Sequence, residues 1–222
     1  MSVVSAKKHS RAHLRALATT SALTGFFQQM YRPGAAVVSP KKIIGLFNDA
    51  KISFVLMGAH GLGGWRSRPR ATQDVDVLVA KRHHGRAVRV LQRAFPKLIV
   101  EDGVIVTRFK DPITGEPRID LMKPLQKIYQ MVFRHTRRVG DSHRVPDLEM
   151  ALVSKFSAIV SPHRQPPRKI QDAADFADMV VHNKADINLA KLSKLAGQVY
   201  PEGQREISQL ISDILAGRPI QV

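Results

Sequence analysis

The sequence predicts an α+β protein, with a mixed β-sheet in the N-terminal half and a helical C-terminal half. Two observations carry this expectation. Short apolar and β-branched runs, bounded by Gly, Asp and Pro, fill the stretch from Ser53 to Met122. Beyond Pro124 they give way to longer segments with helical spacing, punctuated by Pro162, Pro166 and Pro167. Three segments follow: residues 1–38 as a basic arm or helix, 39–123 as the core that carries the chemistry, and 124–222 as a helical region.

In order along the chain, Ser39-Pro40 reads as an N-cap with proline at the first helical position, opening a helix to about Ala50. Ser53 to Met57 is a short apolar run ended by Gly58, which suits a buried strand. Residues 58–73 are rich in Gly and Arg and open with a short helix; Val75 to Ala80 is a second strand, followed by a helix from Lys81 to Phe95. Leu98–Glu101 and Val104–Phe109 flank Asp102-Gly103, a hairpin dipeptide. Turn residues Asp111 to Gly115 then lead into a strand from Arg118 to Met122. Helices are expected at Asp147–Val160, Pro167–Val181, Asp186–Val199 and Glu202–Leu215.

Composition narrows the function. The 222 residues are 44% hydrophobic, enough for a buried core. With no cysteine, disulfides, thiolate catalysis and Cys-based zinc sites are excluded. No apolar run approaches the roughly 18 residues of a membrane span, so a cytoplasmic protein without a membrane partner is expected. Lys and Arg number 35 against 18 Asp and Glu, a formal net charge of +17, which favours polyanionic partners and above all nucleic acid. The basic residues are dispersed, so a basic face is expected rather than a tail. No acidic residue precedes Asp49, while Lys7, Lys8, Arg11 and Arg15 do; such a start suits an organellar targeting segment, a basic arm or a first helix.

The chemistry lies in Gly58 to Val79. Asp74 and Asp76 are two apart, so their side chains share one face of a strand. Neighbouring carboxylates repel, and Asp is a poor strand residue; a divalent cation with a preference for hard oxygen ligands offsets both. Asp120, on the later strand, can complete a set able to hold two metal ions. Gly58, Gly61, Gly63 and Gly64 let backbone approach a phosphate, but no Gly-Lys-Ser/Thr follows, so this is not a P-loop. His60 reads as structural, Trp65 as core or a base-stacking platform, and the adjacent His83 and His84 as unable to share a metal.

A Gly-containing strand-to-helix turn, then Arg70-x-Thr72-x-Asp74-x-Asp76, then Asp120 on a later strand, resembles the nucleotidyltransferase superfamily. Within it, residues 50–182 look most like the AbiEii-type toxins and minimal nucleotidyltransferases. The resemblance implies a nucleotidyltransferase fold and a Mg²⁺ (or Mn²⁺) ion held by Asp74, Asp76 and Asp120. It implies an NTP donor, ATP among the candidates, near Gly58, Ala59, Arg70 and Thr72. The acceptor would be an RNA such as tRNA, a nucleotide or a protein, with an antitoxin partner where the protein is a toxin. Arg70 would bind phosphate or brace the carboxylates. Lys155 in Val145–Ala158 and Asp172 in Arg168–Phe176 match the family's later segments and would be catalytic. Lys155 has independent support: its helical neighbours Ala151, Leu152, Ala158 and Ile159 are apolar, and a triphosphate would explain a lysine among them. Against that, Asp172 and Asp175 lie near Arg168 and Lys169, which suits local salt bridges. Two departures are Ala59, where many relatives carry a hydroxyl or Gly, and Gln171, where they carry Lys. The alternatives are a small-molecule adenylyltransferase of the antibiotic-modifying kind, disfavoured by +17, and a silent RNA-binding or regulatory module, disfavoured by the intact carboxylates.

Overall fold

The computed structural model describes residues 3–220, with side chains from residue 8 onward. The Lys7 side chain and residues 1–2 and 221–222, which the sequence reading includes, lie outside the described residues. The α+β class expected from the sequence is the class observed. Two compact units are present: residues 1–64 with 68–145, and residues 65–67 with 146–222.

The first unit opens with helix α1 (Val3–Tyr31), so the basic N-terminal segment is helical. Its buried line runs through His13, the adjacent Ala16 and Leu17, Thr20, Thr24 and Gln28, at the three- and four-residue spacing that keeps one face on the protein. Helix α2 (Pro40–Asp49) starts on its proline as expected and buries Ile43, Ile44 and Phe47. Strand β1 (Phe54–Leu56) leads into the five-residue helix α3 (Gly58–Leu62) and a 3-10 turn at Gly63–Trp65. Strand β2 (Val75–Val79), a 3-10 turn at Lys81–His83, helix α4 (His84–Ala94), and strands β3 (Ile99–Asp102), β4 (Val106–Lys110) and β5 (Pro117–Met122) complete the sheet.

The sheet order is β1-β2-β5-β4-β3. Only β2 and β5 pair in parallel within it; the other pairings are antiparallel, which makes it mixed. Alternation along the central strands separates two faces. Val75, Val77 and Val79 of β2 and Ile119 and Leu121 of β5 join Ile43, Phe47 and Leu91 in the core. Asp76 and Asp120 fall on the intervening positions, and the parallel register sets them side by side.

The expectation that β structure ends at Pro124 is corrected. After helix α5 (Lys127–Arg134) comes a two-stranded sheet of β6 (Thr136–Val139) and β7 (His143–Pro146). These strands are four residues long and rich in Arg and His, so no apolar run announces them. Gly140 turns the chain between them at φ +54°, and Val139 and Val145 are their contribution to the core.

The second unit holds α6 (Leu148–Val160), α7 (Pro166–His182), α8 (Leu189–Ala196) and α9 (Gly203–Leu215), close to the four helices expected. The Asp147 carboxylate caps α6 by accepting a hydrogen bond from the Met150 N–H at 3.1 Å. Helix α6 is apolar nearly all round, which suits its place against both α7 and α8. Trp65 belongs to this unit and is core. It is 1% exposed, donates from Nε1 to the Pro146 carbonyl, and its own carbonyl accepts from Asn183 Nδ2.

Candidate active site

In the first unit, Asp74, Asp76 and Asp120 each turn one carboxylate oxygen into a common cluster whose atoms lie within 4.8 Å of one another. All three are half-buried. Asp76 and Asp120 are cross-strand partners in the β2/β5 ladder, and Asp74 sits one residue before β2. The local sequence holds them in place. Thr72 Oγ1 donates to Asp74 Oδ1 at 3.0 Å, while the Thr72 N–H donates to Thr24 Oγ1 of α1 at 3.1 Å. Arg108, the β4 partner of Asp120, brings its Nε to 3.8 Å from the Asp120 carboxylate. Sequence reasoning missed Arg108 and Thr24; the alternation of β4, with Thr107 and Phe109 inward, was the available signal for Arg108. Nothing local marks Thr24.

Gly58 backs onto this cluster. Its φ is +57°, and a Cβ built there would overlap the Asp76 carboxylate. Met57 adds a backbone tie, its N–H donating to the Asp76 carbonyl at 2.9 Å. The other glycines of the turn serve packing. A side chain on Gly61 would run into the Leu56 carbonyl, one on Gly64 into His13, and one on Gly63 would press Ala16 of α1 at 3.1 Å. Ala59 is buried, and Arg70 is half-buried with its guanidinium donating to the Ala71 carbonyl. His60 is buried beside Arg70; burial first, and then the Arg70 charge, push its pKa down to about 4. It is therefore neutral at neutral pH, in keeping with a structural role.

Lys155 and Asp172 belong to the second unit, where they form part of one ionic network. Lys155 Nζ donates to Asp172 Oδ1 and to Asp175 Oδ2, both at 2.7 Å, and all three residues are buried. Arg164 reaches Asp172 at 2.8 Å, and Arg66 reaches Asp175 at 3.3 Å and Asp178 at 3.5 Å. Ser67 binds Asp178 through both its N–H and its hydroxyl. The sequence suggested Arg168 and Lys169 as partners for Asp172 and Asp175; the fold brings Lys155, Arg164 and Arg66 to them. Gln171, the departure from the family pattern, donates to Asp175 Oδ1 at 3.3 Å.

Chemically, the first-unit cluster offers converging hard oxygen donors at a reachable surface, and the second-unit network offers charges already matched to one another. No protein-family model matches the chain, and no curated protein matches it. Among solved structures it is similar to an antigenic nucleotidyltransferase-like protein from Paracoccidioides brasiliensis, at 15% identity and a TM-score of 0.45, over 78% of this chain and 89% of that one. It is also similar to terminal uridylyl transferase 4 from Trypanosoma brucei with bound GTP, at 12% identity and a TM-score of 0.32, over 90% of this chain and 71% of that one.

Proposed function

We propose that this protein is a metal-dependent nucleotidyltransferase that moves a nucleoside monophosphate from an NTP onto RNA, with tRNA as the first acceptor to test. The observation that carries the reading is the convergence of Asp74, Asp76 and Asp120 to within 4.8 Å. The set fits Mg²⁺ or Mn²⁺: its donors are carboxylate oxygens, and the missing Cβ of Gly58 leaves the Asp76 carboxylate its place. When bound, such an ion would polarise the phosphates and lower the pKa of an acceptor hydroxyl.

This chain's own residues prepare that chemistry. Thr72 holds Asp74 in one orientation, and the β2/β5 ladder holds Asp76 beside Asp120. Ala59 and Arg70, next along the same unit, are proposed to meet the donor nucleotide. Lys155 is proposed to tie α6 to α7 through Asp172 and Asp175, which take two of its three N–H donors; a catalytic part would use the third toward a triphosphate. The RNA acceptor is supported by the net charge of +17, which attracts a polyanion and repels a cationic drug. A toxin role with an antitoxin partner, acting in the cytoplasm, is the further part of this proposal, and the pairing rests on the AbiEii resemblance.

The test is a labelled-NTP assay with each of the four nucleotides against total tRNA and an aminoglycoside panel, across a salt series. Transfer to tRNA should weaken steeply and linearly in log–log form as salt rises. Efficient adenylylation of an aminoglycoside, with tRNA ignored at low salt, would replace this reading by the small-molecule one.

A further inference from the structure

Helix α1 carries a second feature beside the carboxylate cluster. Its buried line, His13 to Thr20 to Thr24, continues at helical spacing into Phe27 and Tyr31, yet these two are 48% and 69% exposed. The core-facing stripe thus outruns the body it packs on. Beneath the two rings is a cavity of about 310 Å³, whose other walls include Gln28, Arg32, Thr72 and Gln73. The Phe27 and Tyr31 rings lie nearly parallel, 5.7 Å apart with 22° between their planes.

The geometry points to a pocket for a nucleobase of the acceptor strand. A flat ring slides against parallel aromatic faces, and stacking of this kind is the usual platform for unpaired bases. The location suits an acceptor: Thr72 forms part of the wall and also holds Asp74. Lys8, Arg11 and Arg15 stand exposed along the same helix and match a phosphate backbone, which a lone nucleotide would not need. This inference rests on the RNA-directed transferase reading and names where that acceptor is gripped.

The experiment is fluorescence anisotropy of a 5′-labelled hexaribonucleotide in EDTA, beside the same strand with an abasic 3′-terminal residue. Wild type should bind the abasic strand about tenfold more weakly, the size of one lost stack. Phe27→Ala/Tyr31→Ala should lose the same factor on the intact strand and show no further loss on the abasic one. The melting temperature of the double variant should stay close to wild type, since both rings are exposed. NTP binding with Mg²⁺ should be unchanged in the double variant. Equal binding of intact and abasic strands, or an unaltered affinity in the double variant, overturns the pocket. So does loss of NTP binding there, which would make it the donor's base site. Transfer to tRNA alongside either of the first two results leaves the transferase reading standing. Base-dependent binding without transfer to any RNA keeps the pocket and removes the transferase.

Discussion

Carboxylates serve opposite ends in the two units of this protein. In the second unit, Asp172 and Asp175 share one ammonium, that of Lys155, and Arg164 and Arg66 approach from their other sides. In the first, Asp74, Asp76 and Asp120 are turned toward one another. A matched buried network fixes helices but gains little over apolar packing, because desolvation offsets the attraction. Three converging carboxylates with one guanidinium, that of Arg108, beside them keep an excess of negative charge, so their convergence is better explained by function than by stability. Burial alone would have ranked the two the other way, since the matched network is the more buried.

The largest effect that separates the two regions is on activity. Asp76→Asn should lower transfer by about 10³-fold or more, the several kcal/mol expected when a metal ligand is removed. Its melting temperature should hold or rise, because one repulsion is relieved. Full turnover in Asp76→Asn, measured with labelled NTP, would end the metal reading.

Next comes stability in the second unit. Lys155→Met leaves two buried carboxylates without their shared ammonium and should cost about 3–5 kcal/mol in urea denaturation. Adding Asp172→Asn and Asp175→Asn should recover most of that loss. If Lys155→Met melts like wild type and only NTP binding suffers, the network is not what holds α6 on α7, and Lys155 is a phosphate ligand as the resemblance implied.

A smaller effect is expected at Gly58. Gly58→Ala must adopt a left-handed backbone and press on Asp76, so a loss of about 1–3 kcal/mol is expected, with weaker Mg²⁺ binding. Calorimetric titration of Mg²⁺ would show it. Unchanged metal affinity would separate the glycine turn from the carboxylates.

The smallest effect is that of a single histidine on acid sensitivity. Burial pushes His13 down to about 3 and His60 and His143 to about 4, all within the first unit. The unfolded chain then binds more protons than the folded one below about pH 6.5, so stability falls as pH drops from there toward 4. Over one pH unit a single histidine contributes at most about 1.4 kcal/mol, and His60→Gln should flatten the fall of unfolding free energy between pH 6 and 5 by up to that much. The Trp65 signal reports on the second unit and should respond least to this substitution.

What the sequence determined by itself is the part written in local pattern. Proline at the start of α2 and alternation in β2 and β5 each act within a few residues, and each is where the pattern put it. The β3–β4 hairpin is present too, but Asp102 ends β3 opposite Thr107 and the connection is residues 103–105, so Asp102-Gly103 is not the turn by itself. Asp76 was legible for the same reason, while Asp74, one residue ahead of β2, joins it with its carboxylate held by Thr72. The tertiary structure decided everything that depends on register and long-range contact. The parallel pairing of β2 with β5 set Asp120 against Asp76 across 44 positions of sequence. Lys155 sits in an apolar stripe that says only that it is buried; the approach of α7 decides that its partners are Asp172 and Asp175. The β6–β7 hairpin escaped because four-residue strands of Arg and His carry no apolar period, and only contact with the core makes Val139 and Val145 inward. Local chemistry names the groups a chain has to offer, and packing decides which of them meet.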